Sequence, residues 1–199
     1  MGDAFLRRIK ALFPTPTYTG TMEVVESINP TSGKQRAYAI LKSNGSFQFN
    51  IETVADLFLV GGGGTGGTGS DSAADRGGGG GGGGNRLTSI AVTIAATTNQ
   101  SVTIGGISGN TIFGSRSSVG GTSAGAPPDP GNGYPKGGTG ASNYALPLAG
   151  GDGGYAFGGD NSIFTALGYY GSSGGGGGVG RTGGAGGSGV VIVRWGDWT

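Results

Sequence analysis

The sequence predicts a mainly β protein, with a small N-terminal β-domain followed by a glycine-rich β/polyglycine-II bundle. Three observations predict it. From Tyr18 to Val60 the chain falls into short runs rich in β-branched and aromatic residues with a two-residue period. Glycine is sparse before residue 61 and dominates after it. The chain closes on Val190-Val191-Ile192-Val193-Arg194-Trp195, whose β-branched run reads as a strand.

Residues 3–13 read as a short helix, with Phe5, Ile9, Leu12 and Phe13 on one apolar stripe beside Arg7, Arg8 and Lys10. Pro14 and Pro16 end it. A helix this short is marginal alone in water, so the stripe is expected to dock. Its own domain, a neighbouring protein and a membrane surface are the three acceptors open to it. The β-domain follows as TYTGTMEVVE, RAYAILK, SFQFNIE and VADLFLV, separated by NPTSG and SNG turns, for about four strands. Its last strand, Ala55 to Val60, is nearly continuous in apolar residues and is expected to be buried on both faces.

At Val60–Gly61 the composition changes abruptly. Gly2, Gly20, Gly33 and Gly45 are the only glycines before it, although the 199-residue chain holds 51. That is about a quarter of the residues, against roughly 7% in an average protein. The expected organisation is therefore a docking helix and linker over 1–16, a β-domain over 17–60 and a glycine-rich domain over 61–199. Within the last, LTSIAVTIA (87–95) and SVTIGG (101–106), joined by TTNQ, read as a hairpin, and NTIFG (110–114) follows.

So much glycine has three physical uses. A collagen helix needs proline between glycines at every third position, which eight consecutive glycines at 77–84 and only 8 prolines exclude. A disordered linker fits the composition but not the strong strands and bulky aromatics that interrupt it. The third use is a lattice of extended three-residue-per-turn strands, packed closely because no Cβ intervenes. Glycine loses more freedom on ordering than any other residue, so such a lattice has to satisfy nearly every backbone group.

Composition also removes several functions. The formal net charge is +1 with 12% charged residues, too little for a nucleic-acid surface. No cysteine or histidine is present, so thiolate and imidazole chemistry is absent. No cofactor, metal site or catalytic residue is expected, and the protein is read as a non-enzyme. Asp71, Asp75, Asp152 and Asp160 lack the spacing of a calcium loop and read as solvated carboxylates. Nor does any run approach the ~20 apolar residues that a membrane-spanning helix needs.

Two motifs frame the glycine-rich part. The opening is Asp56-Leu57-Phe58-Leu59-Val60-Gly61-Gly62-Gly63-Gly64, and the closing is GGAGGSGVVIVRW over 183–195. With the Ile90–Ile94 and Ser101–Gly105 strands and Asn110–Gly114 between them, residues 55–195 resemble the glycine-rich domain of bacteriophage tail and virion proteins. The resemblance implies a polyglycine-II bundle with loop-decorated ends, of the kind used by tail-fibre adhesins, located in the virion. It also implies partners among other virion proteins (tail fibre, baseplate or capsid) and a bacterial surface glycan or outer-membrane protein. The expected assembly is a homotrimer or part of a larger symmetric one. Neither nucleic-acid binding nor membrane insertion is expected.

On that reading Tyr134, Tyr144, Tyr155, Phe157, Phe164, Tyr169 and Tyr170 are the receptor-binding candidates, because a tyrosine offers a rigid apolar face with a hydroxyl at its tip. The bland alternative is that several of them cap the lattice ends. Phe5, Ile9, Leu12 and Phe13 would dock the chain on the particle. The competing functional reading is a capsid decoration or head-fibre protein with a purely structural role. An ice-binding or matrix protein would call for sustained Thr-x-Thr rows, which the sequence lacks.

Overall fold

The computed structural model describes residues 13–68, 84–123 and 184–198. They form ten strands: β1 (Pro16–Tyr18), β2 (Met22–Ile28), β3 (Gln35–Leu41), β4 (Gly45–Phe49), β5 (Thr53–Val60), β6 (Arg86–Ile94), β7 (Gln100–Thr103), β8 (Thr111–Phe113), β9 (Arg116–Ser118) and β10 (Val190–Gly196). There is no helix among the described residues, and of the expected N-terminal helix only Phe13 lies within them. The protein is mainly β, as its periodicity predicts.

The strands build two five-stranded antiparallel sheets, ordered β1-β4-β7-β8-β9 and β2-β3-β10-β5-β6. The core lies between them. Ala37, Ala39 and Leu41 of β3, Leu57 and Leu59 of β5, and Val191, Val193 and Trp195 of β10 meet Phe47 and Phe49 of β4, Val102 of β7 and Phe113 of β8. The spacing of two within each strand puts these residues on one face. The aromatic rings interlock: Phe47 and Phe49 are edge-on at 5.0 Å, Phe49 and Trp195 at 5.1 Å, and Phe47 lies 5.6 Å from Phe113. Trp195 donates its indole N–H to the Pro14 carbonyl (3.0 Å), which ties the incoming chain to the core.

β10 sits between β3 and β5 and is enclosed on both faces. Its alternate residues Val190 and Ile192 join Ile40 and Val60 in a second buried cluster on the outer face of the same sheet. That explains its unbroken apolar run. β5 differs from the expectation of two buried faces. Val54 is 58% exposed, Asp56 and Phe58 are half-buried, and only the end near Val60 is enclosed on both sides.

Several expectations are corrected. The run TYTGTMEVVE is two strands, β1 and β2, in different sheets, broken at Gly20, where a Cβ would lie 2.5 Å from the Asn44 carbonyl oxygen. LTSIAVTIA and SVTIGG are not a hairpin: β6 pairs with β5, and β7 with β4 and β8. TTNQ instead carries the chain between the sheets, with Thr97 at φ 54° and its N–H on the Phe49 carbonyl at 2.9 Å. Alternating strands satisfy either arrangement, and the link lacks the glycine that a tight two-residue hairpin favours. The boundary expected at Val60–Gly61 does not separate two sheets, because strands from both sides of it share each one.

Candidate functional site

The described glycine segments converge at one end of the sandwich. Residues 61–68 follow β5, and four further segments (84–85, 105–109, 119–123 and 184–189) bond to them mainly through backbone, with the Ser123 hydroxyl on Thr65 as a side-chain addition. Gly61 N–H donates to the Asn85 carbonyl (2.9 Å), Gly62 to Gly109 (2.9 Å) and Gly63 to Gly187 (2.8 Å). Three successive donors thus point to three different neighbours. In return the carbonyls of Gly62 and Gly63 accept from Gly121 (2.8 Å) and Ser108 (3.0 Å).

The repeat here is three residues. Gly63 donates to Gly187, and three residues on Gly66 donates to Gly184, three residues back. A Cβ built on Gly61 would lie 2.2 Å from the Val119 carbonyl oxygen, and one on Gly64 would lie 1.9 Å from that of Thr122. Several residues that do carry side chains follow the same spacing. Val119 and Thr122, and Ala185 and Ser188, are exposed pairs three apart; of Thr65 and Thr68 the first is half-buried and the second exposed. Glycine therefore occupies the positions where backbone meets backbone.

Register passes from sheet to glycine without a slip. Across β5 and β10, residue i faces residue 250 − i, from Asp56 opposite Arg194 to Val60 opposite Val190. The pairs Gly63–Gly187 and Gly66–Gly184 keep the same relation. On the other flank residue i of β5 faces 146 − i of β6 from Leu57–Ser89 to Val60–Arg86, and Gly61–Asn85 continues it.

At the far end of this frame Asp56 joins three strands. Its Oδ1 accepts the Ala91 N–H (2.9 Å), and its Oδ2 accepts from Arg194 Nη2 (2.7 Å) and Nε (3.2 Å). Ala91 has φ 52°, unusual for a residue with a side chain, and lies in the β-bulge where the β5–β6 register shifts. The Arg194 guanidinium stacks 5.1 Å from the Phe58 ring and 5.3 Å from Trp198, and Arg36 lies 4.7 Å from the other aromatic partner of that stack, Trp198. Side-chain exposures of 21% for Arg194 and 24% for Asp56 mark a pair largely withdrawn from water. Asp56 opens the first sequence motif and Arg194 is the last residue but one of the second, and the two motifs meet as antiparallel partners.

Of the receptor-binding candidates, Tyr134, Tyr144, Tyr155, Phe157, Phe164, Tyr169 and Tyr170 lie outside the described residues, within 124–183. The two ends of that segment are placed. Ser123 bonds Thr65 (its Oγ accepts the Thr65 N–H at 3.3 Å), and Gly184 accepts from Gly66, so both flank the glycine end remote from the sandwich. Phe5, Ile9 and Leu12 also lie outside the described residues. Phe13 is half-buried, 6.3 Å from the Trp195 ring, at the rim of a groove of about 960 Å³ that includes Ile28, Ile51 and Val54. Asp71, Asp75, Asp152 and Asp160 are likewise outside. Among the described residues no three acidic side chains gather as a metal site.

Sequence reasoning expected three-residue-per-turn strands but missed the Asp56–Arg194 pair and the three-residue spacing of the side chains. The signal for the second was present in GGGGTGGTG and GGAGGSG, where each side chain follows two glycines. No family model matches the chain, and no curated protein matches it.

Proposed function

We propose that this chain is a bacteriophage virion protein, a tail-fibre or adhesin module that mediates attachment to the host surface. In this reading the glycine segments form a polyglycine-II bundle. The three-residue repeat, the three successive donors aimed at three neighbours and the outward spacing of side chains support that bundle, because a strand with three residues per turn directs its N–H groups in that way. Packing backbone on backbone answers the entropy cost of ordering glycine with hydrogen bonds worth roughly 0.5–1.5 kcal/mol each.

The observation that carries the functional reading is the placement of Ser123 and Gly184. The segment 124–183, which holds all seven candidate aromatics, leaves and rejoins the bundle at the end opposite the sandwich. In this reading the chain between Ser123 and Gly184, with its aromatic residues, is the part that meets a bacterial glycan or outer-membrane protein. The sandwich end, where Phe13 meets the groove, is then the side turned to the particle and its other virion proteins.

Adsorption tests this. Aromatic anchors at interfaces commonly contribute ~2 kcal/mol or more each. Replacing Tyr134, Tyr144 and Tyr155 with alanine should therefore cut adsorption at least several hundred-fold, and up to roughly ten-thousand-fold if the three contributions add, while the protein stays folded and on the particle. Normal adsorption by intact triple-variant particles would favour a passive capsid decoration or head-fibre role instead.

A further inference from the structure

We infer that the β-sandwich sets the phase of the glycine bundle, with Asp56 as the pin that holds it. The inference rests on the polyglycine-II reading above and concerns how such a bundle acquires a single register.

Glycine segments carry little register information of their own. Sliding one of these segments past another by three residues, one full turn, returns donors and side chains to equivalent places, so registers three apart differ little in energy. A β-strand pair with one buried face behaves in the opposite way, since a one-residue slip turns every core side chain outward. In β10 such a slip would carry Trp195, 1% exposed and packed on Phe49, out of the core and bring Arg194 into its place. The sandwich is thus the part of the described chain able to fix register, and the relation between i and 250 − i shows it handed on unchanged to Gly63–Gly187 and Gly66–Gly184.

The bulge makes the second flank specific. Before it, Thr53 faces Ile94 and Ala55 faces Val92, so residue i faces 147 − i; after it residue i faces 146 − i, and Gly61–Asn85 inherits the later value. One residue is a third of a turn in a three-residue helix, enough to aim a donor at a different neighbour. Asp56 lies at that shift. One carboxylate oxygen holds the Ala91 N–H of the bulge and the other holds Arg194 of β10, so a single side chain ties the two strands that lead into the two flanking glycine segments. Asp56 is a positioning residue in this scheme.

Phase predicts a dependence on the number of inserted residues that composition alone does not. Adding glycines between Ser188 and Gly189 pushes Ser188 away from the sandwich along a track whose phase is fixed at Val190. Two added glycines bring Ser188 to the place of Gly186, where a Cβ would lie 2.1 Å from the Gly63 carbonyl oxygen. Three bring it to the exposed place of Ala185.

The experiment is amide hydrogen exchange at Gly63 and Gly66 in the full chain, in the two-glycine and three-glycine insertion variants, and in Asp56→Ala. We expect the three-glycine variant to keep the parent protection, and the two-glycine variant to exchange at least tenfold faster. Asp56→Ala should speed exchange at Gly61 and Gly63 by a similar factor while Ala39 and Leu41 of the core keep theirs. Equal exchange in the two insertion variants, whether fast or slow, overturns the phasing. Unchanged exchange at Gly61 and Gly63 in Asp56→Ala removes Asp56 as the pin. A parent chain without protection at Gly63 and Gly66 removes the polyglycine-II reading itself, which is a different failure.

Discussion

In the sandwich, side chains meet side chains every second residue; in the glycine segments, backbone meets the same neighbouring backbone every third. The two regimes share one pair of chain segments, since residues 53–60 and 190–196 form β5 and β10 while the glycine-rich residues 61–66 and 184–187 continue their register. Trp195, Phe49 and Leu57 exclude water and specify one register through their shapes. Gly62 and Gly64 do the reverse, and are useful because nothing projects from them. A close-packed backbone region can therefore be nearly free of sequence information, provided that a conventional core beside it supplies the alignment.

The largest effect expected on breaking this comparison is in the core. Trp195→Ala removes a fully buried ring that packs on Phe49 and Phe13 and leaves the Pro14 carbonyl without its indole donor. Thermal or denaturant unfolding should show a loss of ~3–5 kcal/mol. Next comes the glycine region. In Gly62→Ala the new Cβ would sit 1.8 Å from the Gly106 carbonyl oxygen, and backbone cannot swing aside as a side chain can. A loss of about 1–3 kcal/mol is expected by analogy with overpacked cores. Gly106→Ala is the control, because a Cβ there meets nothing within 4 Å, and it should change stability by less than about 0.5 kcal/mol. Equal effects from the two substitutions would mean that close backbone packing is not what holds Gly62.

The smallest of the three is Asp56→Asn. It keeps an acceptor for the Ala91 N–H but removes the charge opposite Arg194. Because both side chains retain some exposure, the expected loss is about 1 kcal/mol, shrinking as salt is added. A loss that does not respond to salt would point to the hydrogen-bond geometry rather than to charge.

The sheet part of this molecule was legible because burial writes itself into a two-residue period, as in SFQFNIE, or into a short apolar, β-branched run. VADLFLV and VVIVRW were recognisable as strands before any topology was known. What the strands pair with was not legible. SVTIGG is as compatible with folding back on LTSIAVTIA as with crossing to β4, and the distinction lies in long-range packing of Phe47 and Val102. The composition shift at Val60–Gly61 suggested a domain boundary because glycine marks linkers in most chains, yet β10 returns from beyond it to the middle of a sheet. For the candidate site, the two motifs were visible but their meeting through Asp56 and Arg194 was not, since 138 residues separate them. The three-residue spacing was readable in Thr65, Thr68, Ala185 and Ser188, and was obscured by the longer uninterrupted glycine runs nearby.

Hydrogen exchange followed residue by residue in the unaltered, isotopically labelled chain tests the central claim most directly. If the glycine segments are an ordered lattice bonded through backbone, the amides of Gly61, Gly62, Gly63 and Gly66 should be protected well above the rate of an unstructured chain, because each donates to a carbonyl of another segment at 2.8–2.9 Å. Exchange of these four amides at the unstructured rate, with the β3 and β10 amides still protected, would contradict the account and reduce the glycine segments to connecting loops on a β-sandwich.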